Sequence, residues 1–321
     1  MLSEYKGLVD SQLQKIIKDN PNLPIYEPIK YIVELGGKRF RSSLALLSAD
    51  IFCGKPLKAI NEAGAIELFH NFTLIHDDIM DEAPVRRGQS AVHKKWDTNI
   101  AILSGDLLYA LVNKILASSP VQSSEVHLLF QQTALEVCEG QSLDMAYETQ
   151  QIVSQTDYLE MIKLKTAVLV GCALKIGAII GGASKKNAQL LYDFGVNLGI
   201  AFQIHDDILD VFPTKEVFGK QIGGDILEKK KTILLIDLLE KLTNDEKAGL
   251  YEIIETDELS DSFKVDKIKE MYKMKNVLQT AEDKKSFYFT KALQNIKALQ
   301  IDLSRKKQLN EFAENLMNRK Y

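Results

Sequence analysis

Cysteine is scarce in this chain of 321 residues: there are three, Cys53, Cys138 and Cys172, widely spaced and with no CxxC pair. That scarcity excludes a disulfide framework and a structural zinc site, and it points to a reducing compartment, the cytoplasm. An excess of one charge is also lacking, since 40 lysines and arginines meet 44 aspartates and glutamates for a net charge of -4. A nucleic-acid binder is therefore not expected. Seven prolines and eighteen glycines are few, and no low-complexity linker or charge block divides the chain. Residues 1–321 accordingly read as one domain. The N-terminal MLSEYKGLVDSQLQK mixes charges and has no apolar segment with a small-residue cleavage site, so no secretory leader is expected. One run, Ala167 to Ala183, is almost wholly apolar, but Lys175 interrupts it and it is shorter than the roughly 20 residues a membrane span needs. It reads as a buried core helix whose glycines let neighbours approach closely, and no membrane span is expected.

What the chain does have is helical periodicity. Hydrophobic residues at 45% and charged residues at 26% are globular proportions, enough for a sizeable core. From Lys58 to Met80 and from Gln189 to Leu209 apolar residues recur at three- and four-residue intervals, and no period-two run bounded by a tight hairpin dipeptide is found. Further helices are expected near residues 3–18, 40–52, 99–116, 124–147, 157–180 and 229–242, with Thr243 and Glu246 as a capping box. The fold class is all-α, a single large helical bundle.

Within that pattern one octapeptide occurs twice. LIHDDIMD at 74–81 and QIHDDILD at 203–210 agree in residue type at nearly every position, each near the C-terminal end of a long apolar-periodic segment. Two such helices can face each other across a cleft. Asp77 with Asp81, and Asp206 with Asp210, are four residues apart and share a helical face as like charges. The negative end of the helix dipole makes this arrangement still less favourable, and a bound cation would relieve both costs. All-oxygen ligation by a few carboxylates shared with substrate phosphates is a magnesium arrangement, whereas the glycine and terminal glutamate of a calcium EF-hand loop are missing. Asp78 and Asp207 lie about 100° round the helix from that face.

Short basic groups complete the pattern. GGKRFR at 36–41 sets a glycine break, which by itself could be a helix C-cap, before three cations. Arg86-Arg87-Gly88 follows the first aspartate cluster, and Lys220, Lys229, Lys230 and Lys231 follow the second. Arginine forks and lysine point charges suit phosphate oxygens, so a metal with two separate basic groups implies two phosphorylated ligands. No P-loop sequence occurs.

In order and approximate spacing, GGKRFR, LIHDDIMD…RRG, Lys165-Thr166, FQIHDDILD and GK…GGD…KxT resemble the trans-isoprenyl diphosphate synthases, over about residues 30 to 235. The resemblance implies an all-helical prenyltransferase fold around a central cavity, a homodimer, and head-to-tail joining of isopentenyl diphosphate to an allylic diphosphate. It implies three magnesium ions held by Asp77, Asp81 and Asp206, with Asp210 in support. Arg86, Lys165, Thr166, Gln203, Lys220 and Lys230 match positions that contact the allylic substrate, and Lys38, Arg41, His70 and Arg87 match those that hold isopentenyl diphosphate. Lys229 departs from the family, which often has glycine there, and this leaves open which of Lys229, Lys230 and Lys231 touches phosphate.

The chemistry expected is ionisation of the allylic carbon–oxygen bond, with magnesium, arginine and lysine stabilising charge on the departing diphosphate. Attack by the isopentenyl double bond and loss of a proton to that diphosphate then follow, which needs no dedicated aspartate or histidine base. Dipoles near Lys165, Thr166 and Gln203 are candidate cation stabilisers. Phe69 and Phe72 lie about 12 and 7.5 Å below Asp77 along the helix. Phe72, five places before the first aspartate and followed by the smaller Thr73, resembles the cavity floor of short-chain synthases making farnesyl or geranylgeranyl diphosphate. The alternatives are a class I terpene cyclase, disfavoured by a second DDxxD and by GGKRFR, and a non-catalytic partner subunit, disfavoured because both aspartate motifs are intact.

Overall fold

Helices form nearly everywhere the three-and-four spacing occurs. The computed structural model describes residues 2–119, 123–150, 152–213, 223–256 and 258–318. In chain order the helices are α1 (Leu2–Lys18), α2 (Tyr26–Glu34), α3 (Phe40–Cys53), α4 (Ile60–Met80), α5 (Val92–Lys95), α6 (Thr98–Ala117), α7 (Ser123–Thr149) and α8 (Gln155–Ile162). They continue with α9 (Val168–Ile180), α10 (Lys185–Val211), α11 (Gly224–Leu227), α12 (Ile233–Lys241), α13 (Asn244–Glu255), α14 (Asp261–Met274), α15 (Val277–Ala298) and α16 (Leu303–Met317). The fold class is all-α, as the periodicity indicated. Thr243 and Glu246 form the expected capping box at α13, and Ser154 with Asp157 forms another at α8.

Three local features depart from the helical expectation. The segment 157–180 is not one helix, because Lys163–Ala167 is a π-helical turn between α8 and α9. The segment 229–242 becomes helical only at Ile233, since Lys229 adopts a left-handed φ of 58° that a helix cannot contain. Val85–Arg86 and Gln89–Ser90 pair as a two-residue antiparallel hairpin, with Arg86 opposite Gln89. Its turn residues Arg87 and Gly88 have φ of 53° and 77°, the positive pair that a tight primed turn requires. Strands this short leave no period-two signature.

The chain divides into two compact units, Met1–Gln132 with Cys172–Tyr192, and Thr133–Gly171 with Asp193–Tyr321. In the first, α4 packs along α6 and against α3 and α1. Cys172 to Ile180 are buried except Lys175, so this part of α9 is the core helix its composition suggested. A Cβ on Gly177 would stand 2.1 Å from the Ala45 carbonyl oxygen, so only glycine permits this approach to α3. Ser48 Oγ donates to the Leu174 carbonyl at 2.7 Å beside it. Helix α6 is long and apolar enough, by length and composition, to cross a membrane. In the second unit Tyr158, Ile162, Ala167, Ile204, Ile208, Ile233, Leu234 and Tyr272 belong to one buried cluster beneath the end of α10.

Candidate active site

In the first unit, the C-terminal end of α4 carries Asp77, Asp78 and Asp81. Asp78 is fully buried and bound by Arg86, whose Nε donates to its Oδ1 at 2.8 Å and whose Nη2 contacts the same oxygen. Asp77 is half-buried and Asp81 exposed. Burial works against the Arg86 charge, but the hydrogen bond it donates to Asp78 and the fields of Asp78, Asp77 and Asp81 outweigh it and hold the guanidinium more firmly protonated than usual. The hairpin turn aims Arg87 elsewhere. Its Nη1 contacts the Gly36 carbonyl, and a Cβ on Gly37 would lie 2.8 Å from its Nη2. Gly37 has φ 137°, so the backbone there calls for glycine, while the space beside it is closed only by the movable end of the Arg87 side chain.

Arg87 thereby meets the GGKRFR segment, and Arg41 Nη1 lies 3.5 Å from His70 Nε2. Burial first, then Arg41, Arg87, Arg86 and Arg39, hold the His70 imidazole well below its ordinary 6.5. Its ring is neutral at neutral pH, so it can accept from Arg41. Lys38 is exposed at the segment's edge. Such a concentration of cations around one neutral imidazole suits a polyanion. Further along α4, Phe69 is fully buried and stacks edge-on against Phe130 at 5.0 Å between centroids. Phe72 is half-buried between Tyr109 at 5.6 Å and His76 at 4.8 Å, so of the two rings it is the one with surface left for a ligand. Thr73 Oγ1 bonds back to the His70 carbonyl at 2.9 Å. His76 is a packing residue, with Nε2 3.2 Å from the Ile102 carbonyl.

The second unit repeats the logic at the end of α10. Asp207 is buried, accepting from the Tyr158 hydroxyl and, at 3.1 Å, from Gln203 Nε2, while Asp206 and Asp210 stay half-buried. Burial raises the Asp207 carboxyl to about 7. The returning chain docks on Asp210, whose carbonyl accepts the Gly223 N–H at 2.9 Å and whose Oδ2 accepts the Asp225 N–H at 3.1 Å. Asp225 is itself pushed up to about 6 by burial and then by Asp210, with Glu228 and Asp206 adding to the push against Lys230. Lys230 Nζ lies 3.8 Å from Asp225 Oδ1 and 2.6 Å from Glu228 Oε2. Lys231 turns away, lining a cavity of about 710 Å³ with Glu148, Lys247 and Tyr251. Lys165 and Thr166 sit in the π turn, a feature frequent at functional sites, and Lys165 Nζ is paired with Asp144. Lys220 lies outside the described residues.

Sequence reasoning missed Asp144 and Tyr158, and gave no role to Asp225, the aspartate of the GGD motif. Asp144 is a single carboxylate on a helix and Tyr158 an apolar-face tyrosine, so no local pattern marks them. At the end of each of these two helices the available donors are carboxylate oxygens, which suit a hard divalent ion. Among the described residues no group of three carboxylate, histidine or cysteine side chains is gathered to hold a metal ion.

Residues 23–274 match the family model for polyprenyl synthetase. A geranylgeranyl diphosphate synthase from Methanosarcina mazei is 42% identical over 236 residues, 73% of either chain. The crystal structure of a geranylgeranyl pyrophosphate synthase superposes with a TM-score of 0.92 at 42% identity, covering 100% of this chain and 99% of that one. The geranylgeranyl pyrophosphate synthetase of Pyrococcus horikoshii gives a TM-score of 0.92 at 32% identity, covering 99% and 97%.

Proposed function

This chain belongs to the polyprenyl synthetase family, and from that premise we propose that it joins isopentenyl diphosphate head-to-tail to an allylic diphosphate, giving a short-chain trans-prenyl diphosphate such as geranylgeranyl diphosphate. The observation that carries the reading is the division of labour within each aspartate cluster. The second aspartate is buried and bonded to protein, Asp78 to Arg86 and Asp207 to Tyr158 and Gln203, while Asp77, Asp81, Asp206 and Asp210 keep contact with solvent.

Asp77, Asp81 and Asp206 would hold magnesium, three ions in all, with Asp210 in support. When bound, the metal supplies positive charge against the negative charge growing on the allylic diphosphate as its carbon–oxygen bond breaks. Arg86, Lys165, Lys220 and Lys230 grip the same diphosphate, and Asp78 and Asp144 hold Arg86 and Lys165 in place. Lys38, Arg41, His70 and Arg87 hold isopentenyl diphosphate so that its double bond meets the allylic carbon. Thr166, Gln203 and the carbonyls of the π turn direct dipoles at the short-lived cation, and apolar walls keep water from it. The proton lost at the end passes to the departed diphosphate. Phe72, flanked by Phe69 and Thr73, limits chain length.

Residues 1–321 act as one prenyltransferase domain, in the cytoplasm, as a homodimer. Ile102, Leu103 and Leu128 are exposed apolar residues that a second copy would cover. The test is incubation with magnesium, isopentenyl diphosphate and, separately, dimethylallyl, geranyl and farnesyl diphosphates, followed by mass analysis. Elongated products are expected. Cyclised hydrocarbon from the allylic substrate alone would instead identify a terpene cyclase, and inactivity of folded protein a partner subunit.

A further inference from the structure

One cation of the GGKRFR segment faces inward. Arg39 is only 3% exposed and has φ 48°, a left-handed conformation that strains any side chain with a Cβ. A buried guanidinium is unfavourable unless paired. Here Nε donates to Asp10 Oδ1 of α1 at 2.8 Å, Nη1 to Glu67 Oε1 of α4 at 3.0 Å and Nη2 to the Val33 carbonyl of α2 at 2.7 Å. Ser42 Oγ, one turn into α3, lies 2.8 Å from the other Glu67 oxygen. Three helices therefore meet at the side chain of the residue that heads a fourth.

We propose that Arg39 is a positioning residue for isopentenyl diphosphate and not one of its phosphate ligands. Three of its five N–H donors are committed, and two carboxylates neutralise its charge. Its neighbours in the chain are the cations assigned to that substrate in the function proposed above, on which this inference rests. Lys38 precedes it, Arg41 follows two residues later, and Glu67 is one turn before His70, the partner of Arg41. Gly36 and Gly37 also have positive φ, 75° and 137°, so the approach to α3 runs through backbone with little preference of its own for this path. The Arg39–Glu67 link supplies the constraint that places Lys38 and Arg41 relative to His70.

The experiment is steady-state kinetics of the full-length, magnesium-loaded protein with each substrate varied in turn, for Arg39→Gln, Glu67→Gln, the double variant and Arg39→Lys. Expected is a KM for isopentenyl diphosphate raised about tenfold or more in each Gln variant, with the allylic KM within about twofold of wild type, because a small misplacement of binding groups is costly. The double variant should be no worse than the worse single one, since both break the same link. Arg39→Lys should recover part of the loss. A normal isopentenyl KM in Glu67→Gln beside a raised one in Arg39→Gln would make Arg39 a phosphate ligand and overturn the proposal. Equal increases in both KM values would reduce the network to general stability, with the same result. Should Arg39→Gln fail to fold by circular dichroism, Glu67→Gln alone decides by the same criterion. A wild-type protein that elongates nothing would remove the function and this inference together, whereas an active wild type with an unchanged Glu67→Gln removes only this inference.

Discussion

Gly140 on α7 stands so close to the π turn that a Cβ there would lie 2.2 Å from the backbone nitrogen of Lys165. Gly199 on α10 plays the same part from another direction, with a Cβ position 2.8 Å from Ala167 Cα. The turn that presents Lys165 and Thr166 is thus enclosed by two glycines. Gly140→Ala must displace backbone and not merely a flexible tip. It is expected to lower stability by about 1–3 kcal/mol and to reduce kcat through the displaced Lys165. Thermal melting and turnover of the variant check this, and wild-type values in both would show that the turn yields freely.

Lys229 occupies the left-handed region that glycine adopts without strain. Lys229→Gly should leave turnover intact and stabilise the protein by about 1 kcal/mol at most. Lys230→Ala should lose activity. The pair of results assigns the phosphate contact to Lys230, and a severe loss in Lys229→Gly would move it to Lys229.

Asp77→Ala and Asp206→Ala should each reduce turnover by about a hundredfold or more while the melting temperature holds, because removing one carboxylate from a like-charged cluster relieves repulsion. Near-normal activity in either variant would contradict its assignment as a metal ligand. Asp78→Ala is expected to differ, lowering the melting temperature as well, since it strands Arg86 without its buried partner.

Phe72→Ala should lengthen the main product, because the ring it removes is the half-exposed one beside Tyr109 and not the buried Phe69. Product chain length by mass spectrometry decides, and an unchanged product would place the floor elsewhere.

His70 ties stability to pH. Its folded value is held well below 6.5 by burial and by four arginines, so between the two values the unfolded chain carries a proton that the folded chain lacks. The contribution is complete above about pH 6.5 and declines as pH falls from there. Denaturant unfolding of wild type and His70→Gln between pH 5 and 8 should show a shallower acid decline in the variant. Parallel curves would refute the coupling.

Short-range interactions left a trace in the amino-acid sequence of this protein, and long-range ones did not. Helices over 2–18, 40–53, 60–80 and 185–211 were legible because burying one face imposes a period on residues close in the chain. The two DDxxD clusters and the basic groups were legible because the proposed binding of a metal and two diphosphates demands particular residue types in a particular order. The π turn was not legible, since the segments that pack closely around it, at Gly140 and Gly199, are distant in sequence. Nor was the inward turn of Arg39, which rests on carboxylates from α1 and α4, or the capture of Asp78 and Asp207 by Arg86 and Tyr158. Residue type and local period identify which groups are available for the chemistry. Packing between distant segments decides which of those groups are bonded within the protein and which are left facing a ligand.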